Sequence, residues 1–140
     1  MLKPIKVKAD LCTGCRSCSQ MCSLRKCGSV RPMSAGVVVH LDPWRGVEKP
    51  VICKHCKKPP CVGQCPTGSL KQDKATGVVL LDVEVCDGCW KCLDACPFNA
   101  IKQDPVRGVA VKCDLCTGYS APLCLTVCPT GALKRPGNSE

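Results

Sequence analysis

Cys86-Asp87-Gly88-Cys89-Trp90-Lys91-Cys92-Leu93-Asp94-Ala95-Cys96-Pro97 decides the fold of this chain. Its four cysteines are spaced C-x2-C-x2-C-x3-C, and proline follows the last of them. The same spacing occurs at Cys12, Cys15, Cys18 and Cys22, there followed by Ser23. Two stretched versions complete the set. Cys53, Cys56, Cys61 and Cys65-Pro66 open the middle gap to four residues, and Cys113, Cys116, Cys124 and Cys128-Pro129 open it to seven. Sixteen of the seventeen cysteines in the 140 residues thus fall into four quartets.

Thiolates at i, i+3 and i+6, with a fourth at i+10, wrap three corners of a cubane iron–sulfur cluster and send the last ligand elsewhere. Sixteen thiolates supply four [4Fe-4S] clusters with four ligands each. Two other chemistries use cysteine at this density. A secreted disulfide scaffold is disfavoured by the odd count, by the absence of an apolar segment before Cys12, and by clustering too local to staple distant loops. Zinc is the stronger rival, because C-x2-C pairs build zinc ribbons, although those use two separated pairs rather than a run of three cysteines. A zinc-binding interaction module therefore stands as an alternative, tested by metal analysis of anaerobically purified protein.

A formal charge of +9 would by itself invite nucleic acid or an acidic membrane. Each oxidised cubane with its four thiolates carries about −2, so four of them bring the chain close to neutral. The lysines and arginines are then read as compensation for buried cluster charge. Trp44, Trp90, Phe98 and Tyr119 are the whole aromatic set, too few for base stacking, and nucleic-acid binding is not expected. No apolar run approaches the roughly 18 residues of a membrane span. With few aromatics and 12 each of glycine and proline, the chain has little conventional core. The clusters are expected to serve as one, leaving the apo chain largely unfolded.

Each unit reads as cluster loop, short helix across the last cysteine spacing, then strand. Thr67–Gln72, Phe98–Gln103 and Thr130–Lys134 follow the three Cys-Pro pairs and are alike enough to count as repeats. Turns at residues 73–77 and 104–108 lead into Val78–Leu81 and Val109–Val111, so hairpins are predicted there. A third hairpin is predicted to join Val37–Val39 to Val47–Ile52 through residues 42–46. The fold class is α+β, with small ribbons packed on cluster-bearing loops.

The stretches Ile52–Gly68 and Val111–Ala132 resemble the second and fourth motifs of four-cluster, ferredoxin-like electron-transfer subunits. These accompany molybdenum and tungsten oxidoreductases, formate dehydrogenases, hydrogenases and carbon monoxide dehydrogenase. The resemblance covers about residues 5–135. It implies a tandem bacterial-ferredoxin-like fold of two interleaved dicluster halves. In two-cluster ferredoxins the fourth cysteine of each motif ligates the other cluster, and in the four-cluster family the first motif pairs with the fourth and the second with the third. Carried over, one cluster takes Cys12, Cys15, Cys18 and Cys128, and its mate takes Cys113, Cys116, Cys124 and Cys22. The inner pair takes Cys53, Cys56, Cys61 with Cys96, and Cys86, Cys89, Cys92 with Cys65. The outer half is then residues 1–48 and 113–140, and the inner half residues 49–112.

Some residues depart from the pattern or stand outside it. Ser23 replaces the proline of the other motifs, leaving that exit turn less fixed and offering a hydroxyl as a donor to a sulfur, with simple tolerance the plainer reading. Cys27 lies outside every quartet and is read as a spare thiol. His55, between two ligands, is read as a solvent-facing loop residue, Trp90 as packing, and His40 as one member of an alternating strand. There is no nucleotide-binding glycine loop and no nucleophile paired with a base. The expected function is therefore non-catalytic one-electron transfer by an iron–sulfur subunit. Its implied partners are a catalytic oxidoreductase subunit, with a tungsten aldehyde oxidoreductase favoured, and a further electron carrier; self-association is also open. No added domain or twin-arginine signal is seen, so a cytoplasmic, anaerobe-type complex is expected. A free polyferredoxin is the other electron-transfer reading, but such a carrier usually has an acidic surface.

Overall fold

The computed structural model describes residues 2–135; Met1 and residues 136–140, assigned above to the outer half, lie outside them. Among the described residues, eight short strands and four α-helices alternate with loops and two single 3-10 turns. The strands form four separate antiparallel ribbons of two strands each. The architecture is α+β.

Three ribbons are the predicted hairpins. They are β2 (Val37–Asp42) with β3 (Val47–Ile52), β4 (Leu70–Gln72) with β5 (Val79–Leu81), and β6 (Lys102–Asp104) with β7 (Val109–Val111). One device closes all three turns. The carboxylates of Asp42, Asp73 and Asp104 accept backbone N–H groups two or three residues on, as Asx turns do. Asp104 is fully buried and also takes Arg107 Nε at 2.7 Å. Burial opposes ionisation there, but the Arg107 guanidinium and turn N–H groups hold its carboxyl down to about 2.

The fourth ribbon joins the chain ends. In it, β1 (Lys6–Val7) pairs with β8 (Leu133–Lys134), Val7 opposite Leu133. Two-residue strands carry no periodic signal, so the sequence did not announce it.

The helices differ in length for a local reason. The shorter ones, α2 (Pro60–Gln64), α3 (Lys91–Ala95) and α4 (Leu123–Val127), stop at Cys65, Cys96 and Cys128, whose ψ angles are 112°, 113° and 110°. Each of those cysteines precedes a proline, whose ring forces the preceding residue out of the helical region. No proline follows Cys22. There α1 (Ser17–Cys27), eleven residues in all, runs on past Cys22 to a left-handed cap at Gly28. Ser23 is fully buried; its hydroxyl donates to Gln20 O at 2.9 Å and accepts the Arg31 N–H at 3.0 Å. Its partners are backbone groups rather than a sulfur.

Packing follows two centres. Ile5, Val37, Ile52, Val78, Ala100, Leu115 and Leu133 gather with Cys18, Cys53, Cys113 and Cys124. Leu70, Val79, Ile101 and Ala110 gather with Cys61 and Cys92, and Trp90 packs against them. Helix α1 lies on α4, and α2 on α3. The alternation expected around His40 is replaced by a gradient. Burial in β2 falls from Val37 at the base to His40 and Leu41 near the tip, where Trp44 is 94% exposed.

Candidate iron–sulfur centres

In each quartet the residue before the second cysteine has positive φ: Gly14 72°, His55 45°, Gly88 73° and Leu115 54°. This left-handed step turns the chain so that successive cysteines face one space. Glycine adopts it freely; His55 and Leu115 do so at a cost of about 1 kcal/mol or more.

Two hollows lined by four cysteines each result. Cys12, Cys15 and Cys18 line one together with Cys128, beneath Val39, Pro50 and Leu133. Cys53, Cys56 and Cys61 line the other with Cys96, beside Pro60, Val79 and Ile101. The remaining cysteines are located by their neighbours. Burial, then the Cys113, Cys116, Cys22 and Cys18 thiols, push Cys124 up. Burial, then Cys86, with Cys61 and Cys65 also contributing, push Cys92 up to about 11. Cys27 stands apart at the end of α1, its thiol donating to Ser23 O at 3.0 Å.

The donor set fits an iron–sulfur cluster. Burial pushes Cys18 up to about 11 and Cys113 to about 12. Thiolates in such places need cationic iron in the proton's stead. Backbone N–H groups already point at sulfur. Gly36 donates to Cys22 at 3.2 Å, His55 to Cys53 at 3.4 Å, Leu115 to Cys113 at 3.3 Å and Leu123 to Cys116 at 3.4 Å. Cys65 Sγ lies 3.0 Å from the buried Ser69 hydroxyl. Burial opposes it, but Ser69 and Thr67 hold that thiol down to about 6.

His55 corrects the expectation of a solvent-facing loop residue. It is 7% exposed, and its Nδ1 accepts the Val79 N–H at 3.0 Å. Positive φ carries the ring beneath β5 rather than outward. On the same strand, Val79 O accepts from the buried Lys112 Nζ, which also donates to Cys113 O at 2.7 Å. Side chains from the second and fourth quartet regions thereby cap the open edge of β5. Sequence gave little warning of Lys112, since one lysine beside a cysteine looks like any solvated charge.

Asp114 accepts two hydrogen bonds from Arg25 Nη1, at 3.1 and 3.0 Å, and lies 3.6 Å from Lys26 Nζ. Arg25 also sits over the Tyr119 ring, 5.2 Å from its centroid. The extension of α1 past Cys22 is thus tied to the fourth quartet.

Residues 45–136 match the model of the 4Fe-4S dicluster domain. Similar proteins include the polyferredoxin-like subunit of an aliphatic sulfonate oxidoreductase from Pyrococcus furiosus, 36% identical over 89% of this chain and 70% of its own. The NrfC protein of Escherichia coli is 36% identical over 89% and 60%. The electron transfer subunit PhsB of the Salmonella typhi thiosulfate reductase is 34% identical over 88% and 69%. The chain therefore spans between 60% and 70% of the lengths of these relatives. Among solved structures, the active site complex BamBC of benzoyl coenzyme A reductase contains a chain of similar fold. Its TM-score is 0.57 at 29% identity, covering 95% of this chain and 78% of that one. The protein belongs to the 4Fe-4S dicluster domain family and is an iron–sulfur electron-transfer protein whose cofactors are four [4Fe-4S] clusters.

Proposed function

We propose that the protein is the non-catalytic electron-transfer subunit of an oxidoreductase complex, its sixteen quartet cysteines holding four clusters in two interleaved pairs. The single observation that carries this is the hollow lined by Cys12, Cys15 and Cys18 with Cys128, a cysteine from the far end of the chain, and not with Cys22. The same exchange supports Cys96 as fourth ligand beside Cys53, Cys56 and Cys61. By the same rule Cys22 completes Cys113, Cys116 and Cys124, and Cys65 completes Cys86, Cys89 and Cys92. The joined chain ends support an outer half of residues 1–48 and 113–140 around an inner half of residues 49–112.

Each cluster, when bound, accepts and releases one electron. The protein sets their order. Cys18 acts on Cys124, Cys53 on Cys113, and Cys61 on Cys92. Those charge interactions support a line running from the Cys12 ring through the Cys113 and Cys53 rings to the Cys86 ring. The thiols of the two middle rings are buried or half-buried, whereas Cys15 and Cys89, at the two ends, are exposed. A catalytic molybdenum- or tungsten-type subunit at one end and a second carrier at the other fit this plan, with a tungsten aldehyde oxidoreductase the favoured catalyst. Among the described residues no helix is long and apolar enough to cross a membrane. The proposed compartment is the cytoplasm, where thiols stay reduced until clusters are built.

The test is anaerobic purification with iron, sulfide and zinc analysis, followed by size-exclusion of the native protein. The expected result is roughly sixteen irons per chain, visible absorbance that bleaches on reduction, and elution with a larger catalytic chain. Zinc without visible absorbance, or a species of monomer size, overturns the subunit reading.

A further inference from the structure

His55 occupies a backbone position that glycine fills in the first and third quartets and leucine in the fourth. His55 and Leu115 make the same main-chain contact, donating N–H to the first cysteine of their own quartet at 3.4 and 3.3 Å. Building the loop therefore does not require an imidazole, yet this chain accepts left-handed strain and burial of a polar ring to have one there.

The ring's protonation follows from its contacts. Nδ1 accepts the Val79 N–H, so in the neutral imidazole the proton sits on Nε2. Nε2 is buried and has no partner among the described residues. A buried N–H left unpaired costs about 1–3 kcal/mol, so a retained donor calls for an acceptor. The charges that act on the ring are those of Lys112 and Asp114, which flank Cys113. Asp114 is already committed to Arg25, Lys26 and the Cys116 N–H. Lys112 is a donor, not an acceptor. His55 thus stands where the Cys53 and Cys113 rings meet, with one proton to give and no protein oxygen to receive it.

We infer that His55 Nε2–H donates a hydrogen bond to a sulfur of a cluster at this seam and raises that cluster's reduction potential above what an apolar residue there would set. The inference rests on the ligand assignment proposed above. Hydrogen bonds to cluster sulfur stabilise the reduced, more negative state. Leu115, at the matching position of the fourth quartet, supplies no side-chain donor, so the two middle sites are made unequal by one residue.

The experiment is an EPR-monitored potentiometric titration of the intact holoprotein as wild type, His55→Leu and His55→Gln. Leucine is borne at the equivalent site, and glutamine keeps both an acceptor for Val79 and a donor. In His55→Leu one midpoint potential is expected to fall while the other three hold, and His55→Gln is expected to restore most of the difference. Four retained clusters with four unchanged potentials in His55→Leu would overturn the inference. A second measurement covers the case in which that variant loses clusters. The chain has two histidines, and the other, His40, is exposed near the tip of β2. With histidine labelled with ¹⁵N in the imidazole ring only, so that the His55 main-chain N–H on Cys53 stays silent, pulsed EPR of the reduced wild type is expected to find ring nitrogen coupled to one cluster, and the absence of coupling would overturn the inference. If no iron–sulfur signal appears in any variant, the ligand assignment itself has failed.

Discussion

Gly36 shows how finely a single residue sets the spacing between elements here. Its N–H donates to Cys22 Sγ at 3.2 Å, and a Cβ on it would meet the Cys113 backbone nitrogen at 2.6 Å and the Lys112 carbonyl carbon at 2.7 Å. No side-chain rotation relieves a clash with backbone. Gly36→Ala must therefore push β2 away from the start of the fourth quartet and loosen the site proposed for Cys22, Cys113, Cys116 and Cys124. Iron per chain is expected to fall by roughly a quarter to a half, the loss confined to the proposed outer pair of clusters. Gly63, in α2, has open space where its Cβ would be. Gly63→Ala is expected to keep full iron and to be neutral or stabilising by up to about 1 kcal/mol. Equal iron in both variants would show that the close approach does not matter.

Among the elements, the hairpins were legible because their turns are written in residue types that have few other uses. An aspartate opens and a glycine closes each of residues 42–46, 73–77 and 104–108, and the structure puts the aspartate carboxylates on turn N–H groups. The short helices were legible in the same way, since a cysteine before proline cannot stay helical. The length of α1 was not. It depends on a missing proline at Ser23 together with tertiary partners that lie far away in sequence, Asp114 above all. Replacing Ser23 with proline would copy the other three motifs and still do harm. It removes a helical N–H, both Ser23 hydroxyl contacts, and the path that brings Arg25 and Lys26 to Asp114. The expected cost is about 3 kcal/mol or more. Circular dichroism should record the loss of the last turns of α1, and the clusters should bleach faster under chelator. A Ser23→Pro protein that resists chelator as wild type does would mean that the extension adds nothing to stability.

At the scale of the whole molecule, the candidate ligands were legible from their spacing, and their proposed sharing only through the resemblance to the four-cluster family. Spacing identifies sixteen thiolates, but which four meet depends on how far-apart segments fold together, and local spacing carries no record of that. The β1–β8 ribbon belongs to the same class of feature. It brings the chain ends together and with them Cys12 and Cys128, which line one hollow. Removing single cysteines separates the two possible arrangements. If each quartet holds its own cluster, Cys22→Ala should damage the same site as Cys15→Ala. If the fourth cysteine is exchanged, Cys22→Ala should lose the EPR signal that Cys116→Ala loses, and Cys128→Ala should match Cys15→Ala. The exchanged outcome is expected, with the second cluster of the affected pair also weakened. Cys18 and Cys124 lie in one packed centre, so a void at one site is felt at the other. The cluster held by Cys86, Cys89 and Cys92 should remain intact in all four variants, because Cys92 packs in a separate centre, whereas the cluster of Cys53, which shares the first centre, should be weakened but retained. Loss of all four signals from any one of these changes would instead mean that the molecule folds as a single cooperative unit around its clusters, with no independent halves.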